Sequence, residues 1–139
     1  LEYADIIWDP HTKKDISELE KVQRRAVRFI YNKFRNTDSP AALMVANKIQ
    51  PLHIRRNISR LTFLHSLIQR KFVISSEPYV SHSATRKTRH KHTYTLTPYF
   101  AHTNQLKFSY FPRTIAEWNH LPEEVFRNEN FGNSLVNVV

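Results

Sequence analysis

The chain has 139 residues, no cysteine, one glycine (Gly132), one methionine (Met44), and 21 Lys+Arg against 12 Asp+Glu, a formal charge of +9. At this length one domain is the default, with a core large enough to fold without staples. The lack of cysteine excludes disulfides, thiolate zinc sites and cysteine nucleophiles, and one glycine, where average usage gives roughly ten, excludes glycine-rich phosphate loops. Scarce glycine and abundant long side chains favour a mainly α fold.

The chain opens on Leu1-Glu2-Tyr3-Ala4-Asp5-Ile6-Ile7-Trp8 without a cap residue, as though a helix were already running. With Met44 the only methionine, the expectation is a fragment of a larger protein. After Asp9-Pro10, Thr12 caps a helix predicted to about Asn32, with Ile16, Leu19, Ala26, Val27, Ile30 and Phe34 on one buried stripe. Arg24, Arg25 and Arg28 fall mostly off that stripe. Ser39-Pro40 starts a short helix to about Lys48, and Pro51 opens a third to about Lys71. In the third, Ile54, Ile58, Leu61, Leu64 and Ile68 share a face, leaving Arg55, Arg56 and Arg60 on others, free to reach solvent or a ligand. These three helices should pack as a small layer over 1–72.

Phe72 to Ser83 reads as a connection, followed by the basic run Thr85-Arg86-Lys87-Thr88-Arg89-His90-Lys91-His92. Alternating aromatic and β-branched residues around Tyr94-Thr95-Leu96 and from Leu106 to Phe111 predict a short β-hairpin with a long tip near Pro98 to Gln105. Pro112 and Pro122 then start two short helices, the first carrying Ile115, Trp118 and Asn119 and the second running through Phe126. The segment 73–139 should pack with the first as one unit. No run approaches the roughly 18 apolar residues of a spanning helix, so the chain reads as soluble, intracellular and without a membrane partner.

Charge is concentrated in the middle. Residues 39–116 hold twelve Lys/Arg and one acid, Glu77, whereas 117–139 hold one base and four acids. A stretch so short of internal partners calls for an external polyanion, and nucleic acid is the commonest one. Residues 79–111 interleave Arg86, Lys87, Arg89, Lys91 and Lys107 with Tyr79, Tyr94, Tyr99, Phe100, Phe108, Tyr110 and Phe111. Cations neutralise phosphates while exposed rings stack on unpaired bases; some of these rings instead pack on the helical layer.

Catalysis finds no such support. The acids are dispersed, and the one adjacent pair after a proline, Glu123-Glu124, suits the first turn of a helix. Tyr3-Ala4-Asp5-Ile6 has Ile6 where a polymerase motif needs a second aspartate. His82, His90 and His92 lie among Lys87, Arg89 and Lys91, which disfavours a dication and leaves phosphate contact or solvation. No catalytic residue, metal site or cofactor is expected.

The stretches LEYADIIWDPHTKKDISELEKVQRRAVRFI and FSYFPRTIAEWNHLPEEV, with the basic run between them, resemble the C-terminal region of reverse transcriptases from non-long-terminal-repeat retrotransposons. Within them, the chain is similar to the jockey-like and chicken-repeat-like clades. The resemblance covers Leu1 to about Phe126. It implies a thumb-like helical layer and a C-terminal extension of an RNA-directed DNA polymerase, without the palm aspartates or the endonuclease. The implied partners are RNA or RNA–DNA duplex and the remainder of the parent enzyme. Arg24, Arg25, Arg28, Arg55, Arg56 and the Arg86–Lys91 cluster would be the backbone contacts. The alternative is a helical protein-interaction module with an incidental basic face.

Overall fold

In a computed structural model, residues 2–35, 37–83, 92–128, 130–136 and 138 are described. They form α1 (Asp5–Trp8), α2 (Lys13–Ile30), α3 (Pro40–Ala46), α4 (Leu52–Ile68), α5 (Asn104–Lys107), α6 (Tyr110–Trp118), α7 (Glu124–Arg127) and α8 (Phe131–Leu135). The mainly α class is as expected. The chain divides into two compact units, Leu1–Asn57 and Ile58–Val139, with the boundary inside α4.

Caps set the helix starts. Thr12 Oγ1 accepts the Asp15 N–H at 3.2 Å, and Ser39 Oγ accepts that of Ala42 at 3.4 Å, with Pro40 as the first residue of α3. The ends of α2, α3 and α4 share one device. Asn32, Lys48 and Arg70 take positive φ of 50°, 54° and 54°. The next residue in each case bonds back to the third-last helical carbonyl: Lys33 to Arg28, Ile49 to Met44, Lys71 to Ser66. This is the Schellman termination, built here without glycine.

Unit Leu1–Asn57 buries Val27, Met44 and Leu52 beside unusually many polar groups: Asp5, Glu20, Gln23 and Arg56. Gln23 Nε2 donates to the Gln50 carbonyl at 3.0 Å and its Oε1 accepts from Arg55 Nη2 at 2.8 Å. Glu20 Oε1 accepts the His53 N–H at 3.1 Å. The predicted apolar stripe of α2 is therefore only partly inside. Val27 is buried, but Ala26, Ile30 and Phe34 are exposed, because Glu20 and Gln23 occupy the inner face through specific bonds.

Unit Ile58–Val139 has the larger apolar core: Leu61, Leu64, Leu96, Ile115, Trp118, Leu121, Val125, Phe131 and Leu135. Trp118 Nε1 donates to the Tyr94 carbonyl at 2.9 Å. The Asn119 side chain acts as a one-residue strand, accepting the Leu96 N–H and donating to the Leu96 carbonyl, both at 2.9 Å.

Among the described residues the predicted hairpin is not confirmed. Its first segment makes only an isolated antiparallel bridge, His82 with Leu96, and its second, Leu106 to Phe111, lies in α5 and the start of α6. Thr103 Oγ1 caps α5 through the Leu106 N–H at 3.3 Å. Pro112 falls in the first turn of α6, where the missing N–H has no helical acceptor to lose. The aromatic residues that suggested a strand serve as packing groups instead: Tyr110 donates to the Arg60 carbonyl at 3.0 Å, and Phe111 stacks on Tyr79 with centroids 4.9 Å apart.

Candidate nucleic-acid interface

The clearest candidate surface lies on α2. From Lys21 to Thr37 the sequence has six cations and no carboxylate. Arg24 and Arg25 are exposed and have no ion-pair partner among the described residues. Arg28 is half-buried, its Nη2 donating to the Asp38 carbonyl at 3.2 Å. Asp38, half-buried at the end of the stretch, accepts the Arg35 N–H at 3.2 Å through its carboxylate. Lys21 is held by Glu18 at 2.7 Å on the surface.

The arginines of α4 do not behave as solvent-facing cations. Arg56 and Arg60 are 1% and 2% exposed, inside the core rather than beside it. Arg56 lies over the Trp8 ring, 4.2 Å from its centroid, and pairs with Asp9 at 3.4 Å. Arg60 Nη2 meets Glu117 Oε2 at 2.7 Å, with Arg113 on the other oxygen at 3.5 Å. Burial lowers the pKa of both guanidiniums, and nearby carboxylates oppose that: Asp5, Glu2 and Glu20 for Arg56, Glu117 for Arg60. Leu52, Arg56, Arg60 and Leu64 follow a four-residue row, so the buried face of α4 is rotated from the one the isoleucines suggested. The reason is pairing: a carboxylate within reach makes a buried guanidinium tolerable. Arg55 is half-buried and shared between Gln23 and Glu2.

In the second unit, Lys107 is exposed at the end of α5, its ammonium 5.7 Å from the Phe108 ring. Arg86, Lys87, Arg89 and Lys91 lie outside the described residues. Of the rings named from sequence, Tyr79, Tyr99 and Phe100 line an open groove of about 250 Å³, and Phe100 is exposed. Tyr94 packs on Phe126 at 5.0 Å. His92 is neither a phosphate contact nor solvated. It is buried, its Nε2 donating to the Trp118 carbonyl at 3.1 Å and its Nδ1 accepting the Tyr94 N–H at 3.2 Å.

Glu123 stands at the N-cap position of α7 without a side-chain cap bond and Glu124 is its first residue, the helix-start placement expected of this pair. Among the described residues no three His, Asp or Glu side chains form a group that could hold a metal, and no helix is long and apolar enough to cross a membrane. What sequence reasoning missed is the exposure of Phe29, Ile30 and Phe34. The signal was available in Glu20 and Gln23, polar residues at the spacing of the stripe. No protein-family model, curated protein or solved structure matches the chain significantly.

Proposed function

We propose that this chain is a non-catalytic, nucleic-acid-binding segment from the C-terminal end of a non-long-terminal-repeat retrotransposon reverse transcriptase. It helps hold RNA or RNA–DNA template–primer through its basic residues. The observation that carries the binding part is the exposed pair Arg24 and Arg25, set in a stretch of six cations without a carboxylate. The sequence resemblance supplies the parent enzyme. Arg56 and Arg60 take no part in contact, since their guanidiniums are spent on Asp9 and Glu117. Arg24, Arg25, Lys107 and the Arg86, Lys87, Arg89 and Lys91 run carry it, with Arg28 and Arg55 at the margin.

Binding of this kind is dominated by counterion release. With about six phosphates neutralised, log K should fall with log salt at a slope of roughly −4 to −5. Titration of a labelled RNA–DNA duplex at several salt concentrations measures it. Arg24→Ala with Arg25→Ala should flatten the slope by roughly 1.5. An affinity independent of salt, or none at low salt, refutes the proposal.

A further inference from the structure

Lys21 to Arg35 exposes aromatic rings as well as cations. Phe29 is 76% exposed and Phe34 60%, and neither ring has an aromatic partner among the described residues. At 100° per residue, Val22, Arg25, Ala26 and Phe29 share one outward side of α2, with Ile30 at its border and Arg24 and Arg28 on the adjoining side. The chain beyond the helix is pinned on either side of Phe34. Lys33 N–H bonds to the Arg28 carbonyl at 3.0 Å, and Arg35 N–H bonds to Asp38 Oδ2 at 3.2 Å. Backbone bonds thus flank Phe34 on both sides while its ring stands in solvent.

We infer that the C-terminal end of α2 is a stacking platform for unpaired nucleotides, a proposal that rests on the nucleic-acid reading above and gives it a preference for single strands. Exposed ring faces flanked by unpaired guanidiniums are what single-strand binding needs: the cations track phosphates while bases stack on the rings without regard to sequence. Duplex bases are already stacked on one another and offer these rings nothing, so a duplex engages only Arg24, Arg25 and their neighbours. The charge also selects among occupants. The exposed cations Arg24, Arg25, Lys33 and Arg35 repel a second copy of the same surface and favour a polyanion.

The test compares a labelled oligouridine with an RNA–DNA duplex of equal length, by fluorescence anisotropy on the full chain. The decisive variant is Phe29→Leu with Phe34→Leu, which keeps apolar area but removes the ring faces. Both positions are exposed, and an unchanged melting curve verifies folding. The single-strand affinity should drop roughly fivefold to a hundredfold, while duplex affinity and the salt slope stay put. Arg24→Ala with Arg25→Ala should weaken both ligands. If the leucine variant binds oligouridine as well as the parent chain, or loses both ligands equally, the stacking platform is wrong and the nucleic-acid reading survives. If the parent chain binds neither ligand, the nucleic-acid reading falls and the platform with it.

Discussion

His92 is stacked on Phe126 with centroids 4.6 Å apart, and both its nitrogens are bonded to backbone. Since Nδ1 accepts the Tyr94 N–H, the ring is neutral with its proton on Nε2, and protonation would set two donors against each other. Burial lowers its pKa, offset in part by the bond to Trp118 and by Glu123. His65, stacked on Phe131 at 4.1 Å, is lowered too, by burial first and by Lys71 second. Below about pH 6.5 the unfolded chain takes up protons that these two rings refuse in the fold. Their contribution is therefore complete above that pH and is lost as pH falls toward their folded values. The urea midpoint should drop between pH 7 and pH 5, less steeply in His92→Gln; a midpoint that holds or rises over that range contradicts this. Such roles are hidden in sequence, where His92 reads as the end of a basic run. Arg56 and Arg60 were hidden the same way, because a buried guanidinium depends on Asp9 or Glu117, partners distant along the chain.

Helix ends expose a mismatch between composition and geometry. Lys48 and Arg70 occupy left-handed positions that cost an L-residue roughly 1–2 kcal/mol, while the only glycine, Gly132, lies inside α8 without a positive φ. A Cβ on Gly132 would meet Thr62 Oγ1 at 3.7 Å, an ordinary contact. Lys48→Gly and Arg70→Gly should each stabilise by about 0.5–1 kcal/mol, after subtracting the entropy glycine adds to the unfolded chain. Gly132→Ala should gain a similar amount by helix propensity. Chemical denaturation of the three variants checks this, and destabilisation by all three would show that the backbone at these ends differs. Helix starts, by contrast, were legible, because Thr12, Ser39 and Pro40 act within one turn of themselves. Leu106 to Phe111 was not: six residues of aromatic alternation fit a strand, and only Thr103 and Pro112, read together, favour two helical turns.

For the molecule as a whole, the +9 charge acts on stability and on binding in opposite directions. The ion pairs of the surface, Lys21–Glu18, Arg70–Glu77 and Arg127–Glu123, are exposed on both sides, and such pairs are each worth about 0–1 kcal/mol. In the pairs of Arg56 and Arg60 the arginine side chains are only 1% and 3% exposed, so these pairs are screened less by salt. What salt chiefly removes is the self-repulsion of an excess of cations held in a folded chain. Raising sodium chloride from about 20 mM to about 0.3 M shortens the screening length from roughly 20 Å to roughly 6 Å. The melting temperature should then rise by a few degrees, over the same range in which nucleic-acid affinity falls steeply. Circular dichroism melts alongside binding titrations read both effects from one set of buffers. If the melting temperature falls with salt, the surface pairs outweigh the repulsion, and the cations of the middle section are balanced within the fold rather than held for a polyanion.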